Sequence, residues 1–193
     1  SSPAVYVTMS RSPVSKLACA IFMNGGLRCW GDAAGYMLTG QGTADPIGNG
    51  ANPVSNVPNI GFQTTHGAVD VSIGTHSVCA VFSNGGLRCW GSEDNGVCGT
   101  QTVGSNTIGG LSMNTLPFLP FAANAGAVLH VGVGNKFTCV LFDTYTVRCF
   151  GRTHDESGRL GGLEVAYGSG TNGGGKAPGE MTSIPPVQFP LAI

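Results

Sequence analysis

The chain has 193 residues, of which 32 are glycine and only 10% are charged. An ordinary soluble domain carries about 7% glycine and about 25% charged residues. A net charge of -1 excludes a highly charged disordered tail and binding to nucleic acid by phosphate neutralisation, and the composition fits neither collagen nor a coiled coil.

What remains is a turn-rich, largely β protein. No stretch approaches the roughly 18 unbroken apolar residues of a membrane-spanning helix. The chain opens on Ser1-Ser2-Pro3, with neither an initiator methionine nor a signal peptide, so it reads as a processed chain or a piece of a longer one.

The first extended stretch is Val5-Tyr6-Val7-Thr8-Met9. It is either the first strand of its own sheet or a strand that joins the edge of a neighbour's. Two further strands follow, around Cys19 and Cys29, and this pair returns with a period of sixty. Cys19, Cys79 and Cys139 are related by that step, as are Cys29, Cys89 and Cys149. It also links Arg28, Arg88 and Arg148, then Trp30, Trp90 and Phe150, then Gly31, Gly91 and Gly151. Three copies of one supersecondary unit make up the chain.

The second copy shows the unit best. Residues 79–82 and 86–90 flank Ser83-Asn84-Gly85. A three-residue hairpin loop commonly ends in a left-handed residue, which glycine supplies without steric cost. Counting outward from Gly85 sets Val81 opposite Leu87, Ala80 opposite Arg88 and Cys79 opposite Cys89. In this register the cysteines form a non-hydrogen-bonded pair, close enough for a disulfide. The same count pairs Cys19 with Cys29 and Cys139 with Cys149. The third loop, Asp143-Thr144-Tyr145, lacks the glycine, so its turn must differ or carry strain. We therefore expect three cross-strand disulfides, the alternative being six buried free thiols. Zinc is disfavoured because closely spaced cysteine pairs are absent. Disulfides imply an oxidising, extracellular setting.

Both faces of the hairpin are apolar, with Cys79, Val81, Leu87 and Cys89 on one side and Ala80, Phe82 and Trp90 on the other. Such a sheet must be covered twice, and no helical periodicity offers covering helices. Stacking sheet on sheet solves the problem. Upstream strands are expected at residues 69–74 and 129–134. Downstream, Leu116-Pro117-Phe118-Leu119-Pro120 and Ile184-Pro185-Pro186-Val187 are expected to form a proline-marked edge strand. About four antiparallel strands per copy make a propeller blade.

At this point the residues resemble the regulator-of-chromosome-condensation repeat, which runs roughly V-S-x-G-x-x-H-S-x-A-L and then D-G-x-V-x-x-W-G-x-N-x-x-G-Q-L-G. The matching residues are Val71-Ser72-Ile73-Gly74-Thr75-His76-Ser77-Val78-Cys79-Ala80-Val81, then residues 84–91, then Asn95-Gly96-Val97-Cys98-Gly99. The third copy keeps Cys-Phe-Gly and Gly158-Arg159-Leu160-Gly161, while the first has Ser12-Pro13-Val14-Ser15-Lys16 in place of the V-S-x-G-x-x-H stretch. The resemblance implies a propeller, and family propellers typically close with seven blades. It implies little about activity: the best-known member is a nucleotide-exchange factor for a small nuclear GTPase, and others are light sensors, ligase adaptors or secreted inhibitors. Three blades cannot close a ring, since four is about the minimum. Open edges template further pairing, and a head-to-tail contact that does not close builds a filament.

Catalytic constellations are thin. His76 falls at the family's structural histidine, while His66 and His130 lack metal-type neighbours in sequence. His154-Asp155-Glu156-Ser157 reads as a solvated loop. Residues 170–177 nearly spell a phosphate-binding loop but lack its final Ser or Thr, and Pro178 follows. No G-x-S-x-G elbow occurs. Arg28, Arg88 and Arg148 read either as inter-blade hydrogen bonds and cation–π contacts or as a repeated anion or partner contact. Cys98 replaces the family leucine and is either a buried thiol or a bridge between subunits. The long loops at 32–56, 92–112 and 152–180 are either functional or disordered. They hold no N-x-S/T sequon, so hydroxyl-linked sugars are the form of glycosylation left to solubilise so uncharged a surface.

The expected architecture is all-β, a single repeat domain over 1–193 with blades at about 5–66, 67–126 and 127–193, open and completed by other repeats or subunits. The expected function is a non-enzymatic extracellular assembly protein that associates with itself, extending to a fibre. The alternative is a module of a longer secreted or cell-surface protein that binds protein or glycan. No catalytic residue, cofactor, metal, nucleic acid or membrane span is expected.

Overall fold

A computed structural model of the chain describes residues 2–32, 36–43, 45–93, 96–100, 107–108, 113–152, 174–175 and 177–189. The strands are β1 (Ala4–Met9), β2 (Lys16–Phe22), β3 (Leu27–Asp32), β4 (Ala68–Ile73), β5 (Ser77–Phe82), β6 (Leu87–Ser92), β7 (Thr107–Ile108), β8 (Val128–Val133), β9 (Phe137–Phe142) and β10 (Val147–Gly151), with a short α-helical turn, α1, at Glu180–Ser183 and 3-10 turns at Val54–Asn56 and Met113–Thr115. They form three antiparallel sheets of order β1-β2-β3, β4-β5-β6-β7 and β8-β9-β10. The segment 5–9 is thus the first strand of its own sheet.

The hairpin register is the one set by the turn residues. Cys79 pairs with Cys89, Ala80 with Arg88 and Val81 with Leu87, and the first and third hairpins repeat the pattern. The turns are closed by Gly25, Gly85 and Tyr145 at φ of 76°, 75° and 59°. The third copy therefore keeps the same turn and forces a tyrosine into the left-handed region that glycine occupies freely. A bulge recurs at Val5, Val69 and Leu129, where the first strand of each sheet slips by one residue against the second.

The fourth strand differs from expectation. It is not the proline-marked segment but a stub that pairs on the repeated glycine: Ile47 on Gly31, Ile108 on Gly91, and Gly174 on Gly151. These glycines sit at φ of 117°, 113° and 117°, and a Cβ there would collide with the carbonyl oxygen of Lys16, His76 or Lys136. The proline segments run irregularly, because proline has no amide to give a ladder. Each docks by an equivalent backbone bond: the Ile60, Leu119 and Val187 amides donate to the Leu27, Leu87 and Val147 carbonyls at 2.8, 2.8 and 2.7 Å.

The sheets are sewn together in sequence. The Ala68 amide donates to Gly25 O and the Val128 amide to Gly85 O, both at 2.9 Å. The tips of the first two hairpins thus receive the first strand of the next sheet. Two apolar cores lie in the two seams so formed. Trp90, Phe82, Phe142 and Phe150 are fully enclosed there, each large side chain contributing roughly 2–3 kcal/mol of transfer free energy.

Candidate functional site

The repeated seam is the feature that every copy builds. Cys19–Cys29, Cys79–Cys89 and Cys139–Cys149 are joined at S–S distances of 2.05, 2.10 and 2.12 Å. Each bridge lies on one face of its hairpin. In the first seam, Leu17, Cys19, Ile21, Leu27 and Cys29 pack against Val71, Ile73, Val78, Ala80, Phe82 and Trp90 of the next sheet. In the second, Cys79, Val81, Leu87 and Cys89 pack against Val128, Val131, Val140, Phe142 and Phe150. A disulfide face therefore always meets an aromatic face.

Polar ties fix the register of these seams. The Trp90 indole N–H donates to Leu38 O at 2.9 Å. Asp70 Oδ2 accepts the Val131 amide at 3.1 Å and lies 2.6 Å from His130 Nδ1. Ser72 Oγ accepts the Val133 amide at 3.0 Å. Asp70 and His130 are themselves sixty residues apart, so the period carried a signal for their meeting that neighbour-in-sequence reasoning missed.

Among the described residues, the end sheets leave one half of a seam open on each side. On β1–β3 the positions of Val71, Ile73, Ala80, Phe82 and Trp90 are filled by Val7, Met9, Ala20, Phe22 and Trp30. Val7 and Met9 are 62% and 67% exposed, and Trp30 is half-buried where Trp90 is enclosed. On β8–β10 the positions of Cys79, Val81 and Leu87 are filled by Cys139, Leu141 and Val147, all half-buried. The Tyr145 carbonyl, which corresponds to the Gly25 and Gly85 acceptors, receives no such amide among the described residues.

The three arginines lie over aromatic rings. The Arg28 guanidinium sits 4.8 Å from the Phe22 centroid, and its Nε donates to Asn59 Oδ1 at 2.8 Å. Arg148 lies 5.9 Å from Phe142 and donates to Ile184 O. Arg88 is boxed by Phe62, Phe82 and Phe118, the last at 4.3 Å. Phe118 stands where the first copy has Asn59, beside the docking amide, and the Arg88 Nε and Nη1 have no hydrogen-bond partner among the described residues. Burial lowers the Arg88 pKa by desolvating the cation. The geometry is that of intramolecular packing rather than of an exposed anion contact.

Cys98 is a buried free thiol. A bridge to another subunit would need its sulfur at the surface. Its Sγ donates to Ser92 O at 3.3 Å, and its amide donates to Glu93 Oε2 at 3.1 Å. Glu93 is fully enclosed, and burial raises its pKa to about 7 against hydrogen bonds from Thr100 and Cys98. Position 93 has no repeated counterpart in type, being Ala33 and Thr153 in the other copies, so nothing in the sequence marked it.

The loop residues 154–157 and 158–161 lie outside the described residues, as do 170–173 and Lys176. Where the glycine loop is described, the Gly175 and Ala177 amides donate to Glu180 Oε2 at 2.9 and 2.8 Å. A carboxylate of the chain holds the amides that a phosphate would need. The His76 ring lies 4.5 Å from that of Tyr36, tilted by 52°. Among the described residues no three His, Cys, Asp or Glu side chains gather as metal ligands. No helix among them is long and apolar enough to cross a membrane.

Sheets of this topology, stacked disulfide face on aromatic face and open at both ends, define a partial β-propeller. Its fold is that of the regulator-of-chromosome-condensation propellers. Yeast RCC1 (Prp20), solved bound to Kap60, superposes with a TM-score of 0.64 at 14% identity, over 97% of this chain and 37% of that one. Prp20p from Saccharomyces cerevisiae, characterised for its binding to Gsp1p and histones, gives 0.63 at 13% identity over 97% and 39%. Human WBSCR16 gives 0.58 at 19% identity over 78% and 33%. These identities speak for the fold alone, and the chain spans little more than a third of the structures it matches. No protein-family model and no curated protein matches the chain.

Proposed function

We propose that this chain is a non-enzymatic extracellular assembly module whose two open blade faces complete each other. The observation that carries the reading is the pairing rule of the two internal seams. A disulfide face meets an aromatic face in both, and among the described residues the first and third sheets leave one face of each kind uncovered. Identical copies satisfy that rule head to tail. Such a contact is heterologous, so it closes into a ring if the rotation allows and otherwise extends as a fibre. Two copies would supply six blades, within the four to eight of known propellers. The three disulfides support an oxidising compartment. Hydroxyl-linked sugars on the long Ser- and Thr-rich loops are proposed with it, and an intact mass of 19.6 kDa for the chain from its native source would overturn them.

A second reading has its own observation. The chain spans only 33–39% of the propellers it matches, so further repeats of a longer chain would meet the same faces in cis, within a module that binds protein or glycan. Light scattering on the purified chain, with and without reductant, separates the two. Assembly in trans predicts a mass that rises in steps of the chain with concentration. A monomer at every concentration overturns assembly in trans and leaves completion in cis.

A further inference from the structure

A cleft of about 850 Å³ opens at one end of the blades. Its walls are the equivalent turns of all three sheets: residues 11–14 between β1 and β2, 74–76 between β4 and β5, and 134–136 between β8 and β9. Arg11 and Lys136 bring two cations to it, and no carboxylate lines it among the described residues. Neither side chain has an ion-pair or hydrogen-bond partner among the described residues. The chain holds nine Lys and Arg in all, three of which pack over aromatic rings within its own blades. Two of the remaining six therefore meet in one cavity of a nearly neutral protein.

Two of the three turns end on a basic type, His76 and Lys136. Lys136 holds a φ of 66°, a left-handed conformation that costs a lysine roughly 1 kcal/mol and that a glycine would adopt freely. The floor between the cations is apolar, with Ile73 buried, Val133 half-buried and Val14 55% exposed at the wall.

We propose that this cleft binds an acidic peptide segment, with carboxylates placed against Arg11 and Lys136 and an apolar side chain between them on Ile73 and Val133. Charge complementarity chooses the sign of the ligand, since unpaired cations in a concave site focus the field. The apolar floor chooses a peptide over an acidic saccharide, whose hydroxyls would be set against Ile73 and Val133 without partners. The site lies within one chain and is independent of whether copies assemble. Because its walls come from three blades, the ligand would also tie the seams and raise the melting temperature by mass action.

The probe is a fluorescein-labelled octapeptide of Asp and Glu around a central Leu, read by anisotropy on the full chain. We expect saturable binding that weakens as salt rises. Replacing the acids by their amides, or using the Arg11→Ser/Lys136→Gly double variant, should weaken it by about tenfold or more. Lys136→Gly relaxes the turn, so the variant's melting temperature should equal or exceed that of the parent; the exposed Arg11→Gln alone gives a second variant that leaves the fold untouched. Equal binding of the amide peptide, unchanged affinity in the variants, or binding of a sulfated hexasaccharide but not the peptide would each overturn the proposal.

Discussion

Glu93 and Cys98 form a buried pair on the loop after β6. Desolvation raises the Glu93 pKa from 4.5 to about 7, so the folded protein holds this proton more tightly than the unfolded chain does. A group shifted this way stabilises the fold fully below the unfolded value and loses that contribution as pH rises through the folded one. Unfolding free energy in urea should therefore fall between pH 4.5 and 7, by as much as roughly 3 kcal/mol from this group alone. Glu93→Gln, which stays neutral, should flatten the fall; an unchanged pH profile in that variant would remove Glu93 as its cause. Burial first, and the Glu93 charge after it, also raise the Cys98 thiol well above its ordinary value. Alkylation of Cys98 should proceed only as fast as the loop opens. The buried Cys98 thiol was one of two readings the sequence offered, but Glu93 beside it was not legible there. A carboxylate in a loop with no counterpart in the other copies reads as solvated, and only the packing of Glu93 and Cys98 beside the end of β6 shows otherwise.

The hairpins, by contrast, could be read at the level of single registers. A three-residue loop with glycine in its last place fixes the pairing outward from the turn, and the period supplied the third hairpin even without its glycine. That exception is testable. Tyr145 is 88% exposed and left-handed at 59°, so it loses little packing when removed. Tyr145→Gly should stabilise the fold by up to about 1 kcal/mol, or roughly 2–4 °C in melting temperature. Gly85→Ala should do the opposite, because a Cβ there meets Ala127. The disulfides rank by exposure. Cys79 and Cys89 are sealed between two sheets, whereas Cys139 is half-buried on the outer face. Limited reduction of the monomer followed by alkylation and peptide mapping should find Cys139–Cys149 open first, and a uniform loss of all three bridges would contradict the ranking. Each bridge closes a short loop, worth about 3 kcal/mol on the chain-entropy account. The fourth strand escaped sequence reading because its partner, at Ile47, Ile108 or Gly174, follows loops of unequal length. No period reaches across them, and the prolines that marked an edge belong to a docking segment instead.

At the scale of the whole molecule, the shortage of charge has a structural place. Each internal seam consumes two apolar faces, and the end sheets carry the same residue types outward, with Val7 and Met9 exposed on one side and Leu141 and Val147 half-exposed on the other. If those faces meet each other, the contact is polar in direction, and two single substitutions can prove it. Met9→Glu places a charge where Ile73 packs in the internal seam, and Leu141→Glu places one where Val81 packs. Both sites are outside the internal cores, so each variant should fold and fail to assemble. A buried unpaired carboxylate at such a contact is enough to prevent it. Mixed together, however, the variants retain one good face each: the third sheet of the Met9→Glu chain and the first sheet of the Leu141→Glu chain. Light scattering should then report a heterodimer and nothing larger, with Cys139–Cys149 protected from reduction in the Met9→Glu partner only. An isologous contact would behave differently, since a face that pairs with itself would leave each variant either fully competent or fully inert, alone or mixed. A mixture that stays monomeric while the unmodified chain assembles would place the contact elsewhere on the surface.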